Sequence, residues 1–138
     1  MIGKAVYKFI IYIEKQIAKC KRNQNTKNII KSGRQIGRLF NIGNNVEISG
    51  LENISFGDNV YIGSNAFIRA EGGLALGDNV IFSRNIVLYT VNHNYEGRYL
   101  PYDNEMLKNP VVIESNVWIG MNVTIAPGTY IEEGSIIG

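Results

Sequence analysis

From Ile36 onward the sequence advances in six-residue steps. Apolar residues open the steps at Ile36, Ile42 and Ile48, at Phe56, Ile62 and Ile68, and at Leu76, Phe82 and Leu88. The series resumes at Ile113, Ile119 and Ile125 and ends with Ile131 and Ile137. A glycine or another small residue often follows, as at Gly37, Gly43, Gly57, Gly63, Gly77 and Gly120. The fifth position of a step is usually small, β-branched or apolar: Val46, Val60, Ala66, Val80, Ile86, Val117, Val123 and Thr129. The rhythm breaks once, between Leu88 and Ile113, and the only histidine, His93, opens the break.

A helix needs apolar residues every three or four positions and a simple strand needs them every two. A period of six with a turn residue in each step fits a parallel β-helix, in which three steps close one triangular coil. The first and fifth residues of each step then point inward and stack on their equivalents in adjacent coils. Asn44-Asn45, Asp58-Asn59, Asp78-Asn79 and Ser115-Asn116 suit the corners, because Asn and Asp tolerate left-handed backbone angles. The expected fold class is an all-β solenoid with a short N-terminal α-helix. Residues 1–35 form the helix and a basic connector, and residues 36–138 form the coils, with a loop inserted at about 94–112.

Composition agrees with a single folded domain. Of 138 residues, 45% are hydrophobic and 19% charged, too apolar for disorder. The one cysteine, Cys20, excludes an internal disulfide and has no metal-site spacing. The apolar stretch Val6–Ile13 contains Lys8, precedes no small-residue cleavage site and is too short to span a bilayer.

Charge divides the chain at the point where the repeats begin. Residues 1–38 hold ten Lys/Arg and one acid, Glu14; residues 39–138 hold four Lys/Arg and eleven Asp/Glu. Helical spacing of Val6, Phe9, Ile10, Ile13 and Ile17 predicts an amphipathic helix over about Lys4–Arg22, with Asn23–Ser32 as a polar connector. Packing on the first coil is the favoured role, because an open solenoid end needs a cap. The second reading is peripheral contact with the inner face of an anionic membrane by a cytoplasmic protein. No recognition motif or aromatic platform supports nucleic-acid binding.

Three stretches carry a family resemblance: Leu76–Asn85, Leu88–His93, and Asn116–Gly120 followed by Val123–Gly128. In these the sequence resembles the hexapeptide-repeat acyltransferases, most closely the O-acetyltransferases of sugars and polysaccharides. The resemblance implies a left-handed β-helix, a homotrimer, and acetyl-CoA as acyl donor with no metal. It implies direct transfer to a sugar or polysaccharide hydroxyl, with His93 as the general base. Imidazole suits that role because it titrates near neutral pH. N-acetylation of an amino sugar and a non-catalytic scaffold are the alternatives. Glu71 is expected to bind acceptor or to orient His93, with a solvated corner residue as the equal alternative; Asn65 is a candidate to hold an acceptor hydroxyl, with a structural corner role favoured. Trp118 is expected to shape a cleft between subunits where acceptor and pantetheine meet. Ser83 and Met121 fall on the expected pantetheine channel. The loop residues Tyr95, Arg98, Tyr99, Tyr102, Asp103 and Lys108 suit carbohydrate or a subunit contact, with Tyr102 the acceptor-facing candidate. In the family the coils continue past the point corresponding to Gly138, through much of the coenzyme A site and the terminal cap, so this sequence is either a fragment or shorter than its relatives.

Overall fold

Three parallel ladders of short strands form the walls of a triangular coil in the computed structural model, which describes residues 2–99, 101 and 103–138. Strands are numbered in chain order. The first wall stacks β1 (Gln35–Ile36), β4 (Ile54–Phe56), β7 (Leu74–Leu76), β12 (Val111–Ile113) and β15 (Tyr130–Ile131). The second stacks β2 (Asn41–Ile42), β5 (Tyr61–Ile62), β8 (Ile81–Phe82), β13 (Trp118–Ile119) and β16 (Ile136–Ile137). The third stacks β3 (Glu47–Ser49), β6 (Phe67–Arg69), β9 (Val87–Tyr89) and β14 (Thr124–Ile125). The register keeps the steps aligned: Ile62 pairs with Ile42 and Phe82, and Leu76 with Phe56 and Ile113.

The inward stacking follows the six-residue period. Eleven of the fourteen step-opening residues are buried, and the three partly buried ones, Ile36, Ile48 and Ile137, lie in the end coils. Six of the eight fifth-position residues are also buried; Val123 and Thr129, toward the C-terminal end, are partly exposed. The period did not mark Ile54, Leu74 and Val111, which stand two residues before Phe56, Leu76 and Ile113 on three-residue strands. Strand side chains alternate, so these residues share the inner face with their neighbours.

Corners are held by two asparagine ladders. Asn45 donates to Asn65 at 3.3 Å, Asn65 to Asn85 at 3.1 Å, and Asn85 to Asn122 at 2.9 Å. The second runs Asn59 to Asn79 to Asn116 at 2.9 and 3.0 Å, and ends on Glu133. Every asparagine of both ladders has positive φ. The register places Leu39 where the later coils have Asn59, Asn79 and Asn116. It takes φ 60° there while 79% exposed, a conformation a branched aliphatic residue adopts at a cost.

The N-terminus departs from expectation in two ways. Helix α1 runs without a break over Ile2–Ser32, so Asn23–Ser32 is helical and no connector separates it from the coils. Its polar residues face solvent, and a local hydrogen bond such as Thr26 Oγ1 to the Arg22 carbonyl satisfies them within the helix. The capping residue is also different. Ile29 closes the core beside Phe40, Val46 and Leu51, and Asn25 donates to the Val46 carbonyl. The stripe Val6–Ile17 expected to cover the first coil is instead exposed.

The insertion is more ordered than a loop. β10 (Val91–His93) pairs antiparallel with β11 (Met106–Lys108), bringing His93 opposite Met106. Thr90, wholly buried, fixes the root of this hairpin. Its hydroxyl donates to the Arg69 carbonyl and accepts from the Gly72 amide, both at 2.8 Å. Its carbonyl accepts from the Asn109 amide at 2.9 Å, where the chain returns to the first wall.

Candidate functional site

The hairpin leaves the solenoid after β9 and rejoins it before β12, so it projects from the vertex between the third and first walls. His93 is exposed at the end of β10. Its backbone amide is held by Asn92 Oδ1 at 3.1 Å, and among the described residues no group hydrogen-bonds its imidazole. Beside the root of the hairpin a groove of about 300 Å³ is lined by Tyr89, Val91, Asn92 and the segment 124–127.

Glu71 sits at the same vertex, one coil below. Its neighbour Gly72 is the residue tied to Thr90. Its carboxylate is not turned to His93: Oε1 accepts from Ser49 Oγ at 2.9 Å and from Arg69 at 3.3 Å. Ser49 and Arg69 hold Oε1, and no hydrogen bond joins Glu71 to His93 among the described residues. Burial pushes the Glu71 carboxyl up, but hydrogen bonds from its own backbone amide, Ser49 and Arg69 outweigh this. They leave it below the ordinary carboxylate range, and the group is an anion at neutral pH. Oε2 is buried with no hydrogen-bond partner among the described residues. Arg69 in turn lies over the Tyr89 ring, 5.8 Å from its centroid, and Tyr89 packs at 5.9 Å on Phe67. Sequence reasoning missed Arg69, Tyr89, Thr90 and Asn92. The signal was positional, since Tyr89 and Thr90 are the last coil residues before the break.

Trp118 stands elsewhere. It opens β13 on the outer face of the second wall, 51% exposed, and its indole donates to Ser83 Oγ at 3.0 Å. Two of the expected donor-site residues thus meet. Met121, 66% exposed, lies at the next corner. Asn65 is committed to its ladder, donating at one end of the amide and accepting at the other, and does not join His93. Tyr102 lies outside the described residues. In a triangular coil the second wall is the side opposite the vertex that carries the hairpin. Within one chain Trp118 and His93 thus stand on different sides of the coil. On the second wall Trp118 is flanked by Ile81 and Ile136, with Tyr61 beyond Ile81; these side chains are 39–72% exposed. That is an apolar strip of the kind that marks an association surface.

The fold defines a class: a parallel β-helix of hexapeptide repeats. Residues 110–138 match the family "Bacterial transferase hexapeptide (six repeats)", and residues 53–90 match "Hexapeptide repeat of succinyl-transferase". The galactoside O-acetyltransferase of Escherichia coli is 35% identical over 86 residues, 62% of this chain and 42% of that protein. A galactoside acetyltransferase solved with coenzyme A superposes with a TM-score of 0.71 at 32% identity, over 78% of this chain and 54% of that one. A hexapeptide-repeat acetyltransferase of Vibrio cholerae solved with acetyl coenzyme A gives the same TM-score at 26% identity, over 78% and 58%. The chain is built of hexapeptide repeats and is similar in sequence and fold to acyltransferases of that kind. It spans less than half the length of the curated galactoside acetyltransferase it matches.

Proposed function

We propose that the chain transfers an acetyl group from acetyl-CoA to a hydroxyl of a sugar or polysaccharide, with His93 as the general base. The carrying observation is the presentation of the sole histidine on a hairpin pinned at the only interruption of the coil. His93 takes the proton of the acceptor hydroxyl as that oxygen bonds to the thioester carbon. The carbon–sulfur bond breaks and coenzyme A leaves as thiolate, which takes up a proton. No protein nucleophile is required, consistent with a chain whose one cysteine lies on the N-terminal helix. The anionic Glu71 and the Tyr89 ring lie where an acceptor entering at the vertex would meet them. A carboxylate accepts from sugar hydroxyls, and a flat ring stacks on a sugar face.

The site is shared between copies. Three subunits closing on their walls set Trp118 and Ser83 of one chain against His93 of the next, which resolves the separation within a single chain. Mixing subunits tests this. His93→Ala and Trp118→Ala proteins, each weakly active, should recover activity when unfolded and refolded together, because some sites then hold both native residues. If mixed trimers form and activity does not rise, the shared site is wrong.

A further inference from the structure

Helix α1 is attached to the solenoid only at its C-terminal end, through Ile29 and Asn25. Further out it carries large apolar side chains into solvent: Val6 50%, Phe9 63%, Ile10 49%, Ile13 39% and Ile17 50% exposed. At about 100° per residue these five fall within one sector roughly 100° wide. Lys4, Lys8, Lys15, Lys19 and Arg22 fall in a sector about 60° wide on the opposite side. Tyr7 and Tyr12, both exposed, flank the apolar sector about 60° beyond each edge. The helix as a whole holds eight Lys/Arg and one acid. No helix among the described residues is long and apolar enough to cross a membrane.

We propose that residues 4–22 lie flat on an anionic lipid bilayer, apolar stripe down. Such a helix inserts its apolar face at the boundary of headgroups and acyl chains, and its cations bind the anionic headgroups. The tyrosines on the two edges then sit at the depth their mixed polarity favours. A bundle of helices from three copies would also cover the stripe. It would gather three strongly cationic segments with a single acid each, and would leave the cation excess without a partner. A lipid surface accounts for the stripe, the charge and the tyrosines together. It also leaves the acidic solenoid in water, away from the anionic headgroups. The proposal stands whether or not the acetyl-transfer reading holds.

Vesicle sedimentation of the whole chain tests it. Vesicles of phosphatidylcholine with about a third phosphatidylglycerol should pull the protein down at low salt, with binding falling on the order of tenfold at high salt. Vesicles of phosphatidylcholine alone should bind far less. The double variant Ile13→Glu, Ile17→Glu should lose binding while keeping its circular dichroism and thermal midpoint, since both side chains are already exposed. A second variant, Lys8→Glu with Lys15→Glu, should lose binding to the anionic vesicles with the stripe intact. Equal binding to neutral vesicles, no binding at all, or a stripe variant that binds as well as the parent overturns the proposal. So does a stripe variant that loses subunits in lipid-free sedimentation while the parent ignores lipid, which would assign the stripe to a helix bundle.

Discussion

The first and second walls have the same inside and different outsides. Inward, the first wall stacks Phe56, Leu76, Ile113 and Ile131, and the second stacks Ile42, Ile62, Phe82 and Ile119, all buried. Outward, the first wall shows Gln35, Ser55, Ala75 and Val112 in register before Tyr130. The second shows Tyr61, Ile81, Trp118 and Ile136 in register. Coiling constrains only the inner half of each strand. The outer half is free to encode association and chemistry, so outward residues on one wall can be costly in water without harming the coil.

The largest effect expected from breaking this division is at the vertex. His93→Ala should lower turnover on the order of 100–10,000-fold, the usual worth of a positioned general base, with the thermal midpoint unchanged. Normal turnover in that variant would remove His93 from the chemistry. Next come the two sides of the second wall. Ile62→Ala, at an inner position with no exposed surface, should cost about 2–5 kcal/mol in urea unfolding. Ile81→Ser, outward and 48% exposed, should change subunit unfolding by no more than about 0.5 kcal/mol yet weaken association in sedimentation. Equal costs at the two positions would erase the distinction.

Smaller effects lie at the corners. Leu39→Asn should stabilise the chain by about 1 kcal/mol, because asparagine accepts the left-handed angle and can extend the ladder that starts at Asn59. Loss of stability would mean that the exposed leucine has an unseen partner. Glu71 gives the smallest change. Its carboxyl is lower in the folded chain than in the unfolded one, so its contribution is present above the ordinary carboxylate value and is lost as pH falls through the lowered one. Glu71→Gln should therefore flatten the acid side of a plot of urea midpoint against pH. An unchanged acid limb would show that Ser49 and Arg69 do not favour the charged form.

The coils were legible because one rule repeats: an apolar residue every sixth position has few structural homes, and Ile42 through Ile131 all go inside. Corner chemistry was legible for the same reason at Asn45, Asn59, Asn79 and Asn116. The helix was half legible. Its apolar stripe was visible, but periodicity reports which residues share a face and not what that face meets. The extension through Asn23–Ser32 was hidden because its only apolar residues are the adjacent Ile29 and Ile30, of which Ile29 alone is buried, and two neighbours make no helical period. The hairpin was hidden by its three-residue strands within a charged segment. Among the candidate site residues, His93 and Trp118 were marked by being the sole members of their kinds. Arg69 and Tyr89 had no such mark, since their importance comes from contact across coils. Spacing put Glu71 at the vertex, but its hydrogen bond from Ser49 is made across coils and leaves no mark in the sequence.

The ladders cross the insertion as though it were absent. Asn79 reaches Asn116 and Asn85 reaches Asn122 at the same spacing that joins neighbours twenty residues apart elsewhere. Thr90 and Asn109 close the gap beneath the hairpin with one backbone bond. The hairpin is thus a detachable accessory clipped to a continuous spine. Its sequence can be rewritten, lengthened or exchanged for that of a cousin without the core being re-solved. A chain built in this way separates what varies at the vertex from what stays fixed in the stacked coils.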